Sequence, residues 1–246
     1  MVSAPHRLDV ALEKRGLCRS RARARDAIVR GTVTVDGNVV TKPGFRVTAQ
    51  MQISVDDPAG EYVSRSALKL KAGLDASGIN AAGKICLDLG ASTGGFTQVL
   101  LEHGAAKIFA VDVGHSQLDQ RIASDHRVIQ LDKTNATALT SELIPDPIDL
   151  VVCDISFVSL VKVLAAPLAL CRSGADAILL FKPQFEVGRE HVGKGGIVTD
   201  QSAIDAALET LKTFMEEQGW QDKLMLPSPI TGADGNQEFL RVFSKR

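Results

Sequence analysis

Two residues at predicted strand ends carry the most chemically loaded spacing in the chain. The runs Val151-Val152-Cys153 and Ile178–Phe181 are short and apolar, and each is followed by a charge, Asp154 and Lys182. In a doubly wound sheet the carboxyl ends of the strands open onto the ligand crevice, so Asp154 and Lys182 are expected to be neighbours there. A lysine straight after an apolar run is costly unless it is paired or used. A purely structural ion pair is the plain reading, and chemistry at the crevice is the other.

Upstream, Cys86-Leu87-Asp88-Leu89-Gly90-Ala91-Ser92-Thr93-Gly94-Gly95-Phe96 reads as a strand, a glycine-rich turn and a helix start. Gly90, Gly94 and Gly95 let the backbone turn sharply and approach a ligand closely. The spacing is not G-x-G-x-x-G, so no pyrophosphate cradle is implied. The next strand, Ile108–Val113, ends in Asp112 and Val113, where a carboxylate can accept hydrogen bonds from ribose hydroxyls. A third, Gln130-Leu131-Asp132-Lys133, puts Asp132 where an adenine amino group could be met. Each element alone is an ordinary turn; three in register at successive strand ends suggest a nucleotide-type cofactor site. Over residues 80–246 the set resembles the class I S-adenosylmethionine methyltransferases. The resemblance implies S-adenosyl-L-methionine as cofactor, held by Asp88, Gly90, Ser92, Thr93, Gly94, Gly95, Phe96, Asp112, Val113, Asp132, Lys133 and Asp154.

The elements that must position these residues alternate strand and helix from residue 64 onward. The pattern predicts helices at 64–77, 95–103, 116–123, 138–143, 158–169 and 201–218. Strands are expected at 85–89, 108–113, 128–131, 150–154, 177–181, 220–226 and 239–244. Such alternation indicates an α/β fold with a doubly wound, largely parallel sheet. Residues 6–30 instead read as two short helices, with Gly16 ending the first and Ser20 capping the second. After Gly31 the apolar period becomes two, and Asp36-Gly37 between valines signals a hairpin. A strand at 52–55 follows. Asp56-Asp57-Pro58-Ala59-Gly60 looks like a linker, so we expect one domain at 1–59, a linker at 60–63 and a second domain at 64–246.

Charge separates the two parts. Residues 1–46 hold ten Lys or Arg against four acids, a balance of +6, within a chain of net charge −1. Arg19, Arg21, Arg23, Arg25 and Arg30 crowd the second helix. Guanidinium forks suit phosphate oxygens and release counterions on contact, although charge runs often only solvate a surface. The ordered pieces are Arg7-Leu8-Asp9, Ser20-Arg21 and Gly31-x-Val33-x-Val35-x-Gly37. Together they resemble an S4 RNA-binding domain over residues 6 to 55, a small α+β module. This implies binding of structured RNA through Arg7, Arg19, Ser20, Arg21, Arg23, Arg25 and Arg30.

Composition narrows the class further. The 246 residues are 45% hydrophobic and 23% charged, ordinary for a globular protein. The four cysteines form no C-x-x-C pair, which disfavours zinc or a disulfide framework and suits a reducing compartment. Cys86 and Cys153 read as small core residues. The start of the chain shows no signal peptide. The longest apolar tract, 157–171, is shorter than the roughly 20 residues a spanning helix needs. A cytoplasmic protein without stable membrane association is expected.

D-L-G-A-S-T-G-G-F, D-I-S-F-V-S, F-K-P-Q-F-E, G-K-G-G-I-V and S-P-I-T-G-A-D-G-N-Q-E-F resemble the TlyA family. These are S4-fused ribosomal-RNA 2′-O-methyltransferases similar to FtsJ/RrmJ-type enzymes and historically named hemolysins. The resemblance implies a Lys-Asp-Lys-Glu tetrad of Lys69, Asp154, Lys182 and Glu238. Periodicity alone does not choose between Lys69 and Lys71, and Asp234 competes locally with Glu238. It also implies methylation of cytidine ribose in 16S and 23S ribosomal RNA, with an effect on sensitivity to ribosome-binding peptide antibiotics. Arg65, Arg189 and Lys194 are expected to meet RNA; the loop holding the last two, 186–197, is otherwise a mobile surface connection. His191 is expected on that same loop, and no metal is required. Some members carry a linker tryptophan, whereas this chain reads Gly60-Glu61-Tyr62-Val63, which puts in doubt any linker switch resting on that residue.

The chemistry calls for these residue types. A protonated ribose hydroxyl is a poor nucleophile, so an enzyme must align it with the methyl donor and stabilise developing negative charge. Lys182 is expected to do so, taking the proton if its pKa is lowered, with Asp154 orienting it and Lys69 and Glu238 positioning the ribose. The rivals are a non-catalytic ribosome-assembly factor, a pore-forming hemolysin and an S4-linked pseudouridine synthase. Cofactor binding tests the first, liposome leakage the second, and the cofactor motifs argue against the third.

Overall fold

The structure, a computed structural model, describes residues 5–246; the reading of the first residues for a leader lies in part outside them. The chain divides into two compact units, 1–61 and 62–246.

The first unit contains β1 (His6–Arg7), α1 (Leu8–Lys14), α2 (Arg21–Val29), β2 (Val33–Val35), β3 (Asn38–Val39), β4 (Arg46–Val47) and β5 (Ile53–Val55). Leu8, Leu12, Ala24, Ala27 and Ile28 pack on Val33, Val35 and Val47. Ser20 caps α2, its Oγ accepting from Arg23 N at 3.3 Å. Asp36 and Gly37 both sit at positive φ, 47° and 79°. That geometry matches the right-handed twist of the flanking strands and closes the expected hairpin. β3, β2 and β5 form an antiparallel sheet, and β1 pairs with β4. Two-residue strands such as β1 and β4 are too short to show a period.

The second unit begins with α3 (Ala67–Ser77), β6 (Ile85–Leu89), α4 (Gly95–Glu102), β7 (Lys107–Val111), α5 (Gln120–Ala123) and β8 (Val128–Leu131). It continues through β9 (Ile148–Cys153), α6 (Ala165–Ala169), β10 (Cys171–Phe181), α7 (Pro183–Glu186), α8 (Gln201–Glu217), β11 (Trp220–Pro227) and β12 (Phe239–Lys245). The seven-stranded sheet runs β11-β12-β10-β9-β6-β7-β8. It is parallel from β10 to β8, with β12 antiparallel to both β10 and β11. Alternation along β9 shows why both faces are covered. Leu150 and Val152 join the α3 and α4 side, while Val151 and Cys153 join the α6 and α8 side. Chain order reverses between β6 and β9, and such a switch point opens a crevice at the strands' carboxyl ends. Among the described residues, no helix is long and apolar enough to cross a membrane.

Four predicted elements are corrected. The helix expected at 116–123 survives only as α5, because Ser116 sits at φ 51° in a turn. The helix expected at 138–143 is instead a single 3-10 turn at Ala136–Ala138, entered through an Asn135 cap. The helix expected at 158–169 is broken into a 3-10 turn, Leu160–Lys162, and α6. Pro167 cannot donate the hydrogen bond that would join them. The strand expected at 177–181 begins earlier, at Cys171; its first half is exposed at Arg172–Gly174, which hides the apolar signal.

Candidate active site

The site begins where the ends of β6 and β9 nearly touch. Gly90 has φ 81°, and a Cβ there would lie 3.0 Å from the backbone carbonyl of Asp154. Only glycine fits both the dihedral and the approach. Its amide and that of Ala91 bond Val111 O at 2.9 and 3.1 Å, which draws the turn toward the end of β7. There Asp112 links two loops, accepting from Ser92 N at 2.8 Å and Gly114 N at 2.7 Å.

The crevice holds a cavity of about 750 Å³, lined by Gly90, Ser92, Asp112, Val113, Gly114, Asn135, Ala136 and Asp154, with Phe157 and Lys162 at its edge. A second, smaller hollow of about 190 Å³ adjoins it and shares Gly90, Ser92, Asp154 and Ser156. Ser64, Ser66, Lys69, Ala91, Thr93, Phe96 and Lys182 complete its walls.

Several expected cofactor residues lie outside the walls of both cavities. A Cβ on Gly94 would meet Leu118 at 2.8 Å, and one on Gly95 would meet Ser66 and Ser64, which themselves line the smaller hollow. Asp88 is fully buried beneath the turn, with Thr97 Oγ1 donating to one oxygen at 2.6 Å and its Oδ1 lacking a partner. Burial, aided by the Asp154 and Asp112 charges, pushes its carboxyl up to about 7. Asp132 and Lys133 line neither cavity. The Asp132 carboxylate is engaged by Ser116 N at 2.7 Å, Gln130 Nε2 at 2.7 Å and His115 Nδ1 at 3.1 Å.

The four tetrad positions form two ion pairs. Lys182, 6% exposed, lies 2.6 Å from Asp154 Oδ1 and also donates to Ser156 Oγ at 2.8 Å and Asp154 O at 3.2 Å. Lys69 bonds Glu238, and both are buried. Lys71 is exposed and pairs with Asp75 one turn along its own helix, while Asp234 is exposed. Of the candidates that periodicity leaves open, Lys69 and Glu238 turn inward while Lys71 and Asp234 turn out.

Segments 154–160 and 182–186 brace each other at three further points. Phe157, at φ 70° and 89% exposed, places its ring 5.2 Å from that of Phe185. Glu186 accepts from Ser159 Oγ at 2.7 Å and Leu160 N at 2.9 Å. Nearby, Asn236 is 2% exposed and ties loop 186–197 to the approach to β12, accepting from Val198 N and donating to Gly196 O. Ser156, Phe157, Glu186 and Asn236 escape the sequence reading, because polar and aromatic loop residues have no period to betray a role. The motifs Asp-Ile-Ser-Phe, Pro-Gln-Phe-Glu and Gly-Asn-Gln-Glu-Phe that contain them are the signal they give.

Arg189 and Lys194 lie exposed on that loop, where His191 pairs with Asp200 at 2.8 Å, and Arg65 is half-buried. In the first unit the arginines divide. Arg30 is turned inward onto Asp57 and Asp26, and Arg23 donates to Ala59 O. Those two are therefore removed from the freely exposed set. Arg19 and Arg25 are exposed, and Arg7 and Arg21 share Asp9.

The family model for FtsJ-like methyltransferases matches residues 62–245, and that for the S4 domain matches residues 6–53. The chain is 44% identical over 234 residues to the Mycobacterium tuberculosis 16S/23S rRNA (cytidine-2'-O)-methyltransferase TlyA, covering 95% of this chain and 87% of the relative. It is 41% identical over 187 residues to the 23S rRNA (cytidine-2'-O)-methyltransferase TlyA of Campylobacter jejuni, covering 75% and 71%. A solved Streptococcus thermophilus structure described as a hemolysin superposes with a TM-score of 0.77 at 35% identity, covering 98% of this chain and 89% of that one. With a glycine turn, a strand-end carboxylate and two buried Lys–carboxylate pairs at one crevice, the chain belongs to the S4-fused branch of the FtsJ-like methyltransferases that includes TlyA.

Proposed function

We propose that this protein transfers a methyl group from S-adenosyl-L-methionine to cytidine ribose 2′-hydroxyls of 16S and 23S ribosomal RNA. The observation that carries the reading is the Lys182–Asp154–Ser156 cluster at the junction of the two cavities. Two relatives support the substrate, one named for 16S and 23S rRNA and the other for 23S rRNA alone.

The larger cavity fits a nucleoside. Asp112 would accept hydrogen bonds from the cofactor's ribose, and Val113, Ala136 and Ile155 offer apolar surface to an adenine. Gly90, lacking a Cβ, lets the floor of the crevice close against the Asp154 backbone. Once bound, S-adenosyl-L-methionine supplies an electrophilic sulfonium methyl group.

Lys182 would stabilise charge developing on the 2′-oxygen as the hydroxyl proton passes to solvent water in the hollow. All three of its donor positions are engaged, and the bond to Asp154 O at 3.2 Å is the longest. That bond is the one a substrate oxygen would most easily replace. The Asp154 carboxylate keeps the ammonium aimed. Lys69, on the wall of the smaller hollow, would hold the ribose while Glu238 braces it from behind. Phe157 offers an exposed ring beside the hollow, a face on which an unstacked base could rest. Arg65, Arg189 and Lys194 would meet RNA phosphates.

The test is methyl transfer from labelled S-adenosylmethionine to separated ribosomal subunits and to naked ribosomal RNA, with Lys182→Ala as control. Label at alkali-resistant ribose positions that vanishes with the variant supports the assignment and identifies the substrate. Cofactor and RNA binding without label would make the protein a non-catalytic assembly factor.

A further inference from the structure

The first unit holds two kinds of arginine–aspartate pair, and they point in opposite directions. Arg30 turns its fork inward: Nη1 and Nη2 both bond Asp57 at 2.8 Å, with side chains only 13% and 7% exposed. Such a pair spends its terminal nitrogens on the fold. Asp9 is different. Its carboxylate is fully buried, yet Arg7 and Arg21, which it holds, are 43% and 52% exposed.

The atoms used explain the difference. Asp9 accepts from Arg7 Nε at 3.0 Å and Nη2 at 3.1 Å, and from Arg21 Nε at 3.0 Å. Arg7 Nη1 and both Nη groups of Arg21 have no partner among the described residues. One edge of each guanidinium is fixed and the other is presented. Space is kept for the free end of Arg7 by Gly44, where a Cβ would lie 3.1 Å from Nη1. Asp9 itself is locked at the start of α1, accepting from Val10 N at 3.0 Å, while its own amide bonds Pro43 O at 3.1 Å. The Arg7 hydrogen bonds hold its carboxyl down at about 2, so it stays charged.

We propose that Asp9 is a positioning residue for RNA: it clamps Arg7 and Arg21 side by side so that their free edges grip the phosphodiester backbone. This rests on the ribosomal-RNA reading above. The physical gain is preorganisation. A free arginine loses much rotamer freedom when it binds a phosphate, whereas one already held by its Nε edge loses less. A negative charge at the centre of a basic face would otherwise oppose RNA.

The proposal therefore predicts an effect opposite in sign to simple electrostatics. Full-length wild type and Asp9→Asn would be compared for binding to purified 16S and 23S ribosomal RNA over a range of salt concentrations. Asp9→Asn adds one unit of net positive charge, yet affinity is expected to fall by about tenfold, with a salt slope shallower by about 1. Equal or tighter binding by the variant would overturn the proposal. Gly44→Ala leaves every charge in place and crowds only Arg7, so it carries the same test should Asp9→Asn fail to fold. Its expected result is weaker RNA binding with S-adenosylmethionine binding retained; unchanged RNA affinity there sinks the clamp as well. Failure of the wild type to bind either RNA would instead strike at the ribosomal-RNA reading itself.

Discussion

Lys182 Nζ lies 2.6 Å from Asp154 Oδ1, joining the ends of two adjacent parallel strands. The pair sits where two cavities meet and is only partly screened from them, so it has a route to substrate that an ordinary core ion pair lacks. Lys182→Ala is expected to lower methyl transfer by at least about a hundredfold, the usual scale for losing one preorganised group at a developing charge. Cofactor binding should persist. Turnover within a few-fold of wild type in a folded variant would remove Lys182 from the mechanism.

Lys69 and Glu238 pose a different problem, because both are buried. Lys69→Ala leaves an uncompensated carboxylate that is 2% exposed, and breaking such a pair costs about 3–5 kcal/mol. The variant should unfold at lower denaturant and also lose activity. Adding Glu238→Leu removes the orphaned charge and should recover most of the stability without recovering turnover. Chemical denaturation beside the methylation assay separates the two effects; full rescue of turnover in the double variant would make the pair purely structural.

Glu186 holds the segment bearing Ser156 and Phe157 through Ser159 Oγ and Leu160 N. Glu186→Ala frees that segment and leaves a backbone donor unpaired, at a cost of about 1–3 kcal/mol. Glu186→Gln keeps an acceptor for Leu160 N. Turnover should fall clearly in the alanine variant and recover in the glutamine one. Equal losses in both would mean that charge, rather than bracing, is what the position supplies.

How much of this was legible depended on how far apart the partners lie in sequence. The Asp154–Lys182 meeting follows from two strand ends and one topological rule. Lys69 and Lys71 could not be separated by pattern, since only packing shows that one turns inward toward Glu238, 169 residues away. The arginine run was equally opaque. Arg30 is claimed by Asp57, Arg23 by Ala59 O and Arg21 by Asp9, all set by tertiary approach. Asp132 is placed by its strand end alone, and the three neighbouring donors that engage its carboxylate come from tertiary approach and turn geometry that carry no pattern. The apolar stretch at 158–169 carried a helical pattern, but the Pro167 break overrode it.

Gly90 offers a test of the crevice floor. An alanine there meets the Asp154 carbonyl at 3.0 Å and must also adopt φ 81°. Strain of this kind costs about 1–3 kcal/mol. It should push β6 and β9 apart where Asp154 leaves the sheet, so S-adenosylmethionine affinity is expected to drop at least tenfold by calorimetric titration. Unaltered affinity would mean that the turn is not part of the cofactor site.

Asp88 makes stability depend on pH in an unusual direction. Burial holds its carboxyl protonated up to about 7 in the folded protein, whereas an unfolded aspartate titrates near 3.8. Between those values the folded state binds the proton and the unfolded state does not. Stability from this group is therefore complete below about pH 4 and is lost as pH rises toward 7, by up to about 1.4 kcal/mol per pH unit. Asp9 acts in the opposite sense: its depressed carboxyl withdraws stability only as pH falls from about 4 toward 2. Asp88→Asn keeps an acceptor for Thr97 Oγ1 and removes the titration. Comparing urea unfolding of the two proteins from pH 5 to 8 isolates the effect. The variant should gain on wild type as pH rises, with the gap levelling off above about 7. A gap that stays constant across the range would show that Asp88 is already ionised in the folded state, held by something other than Thr97.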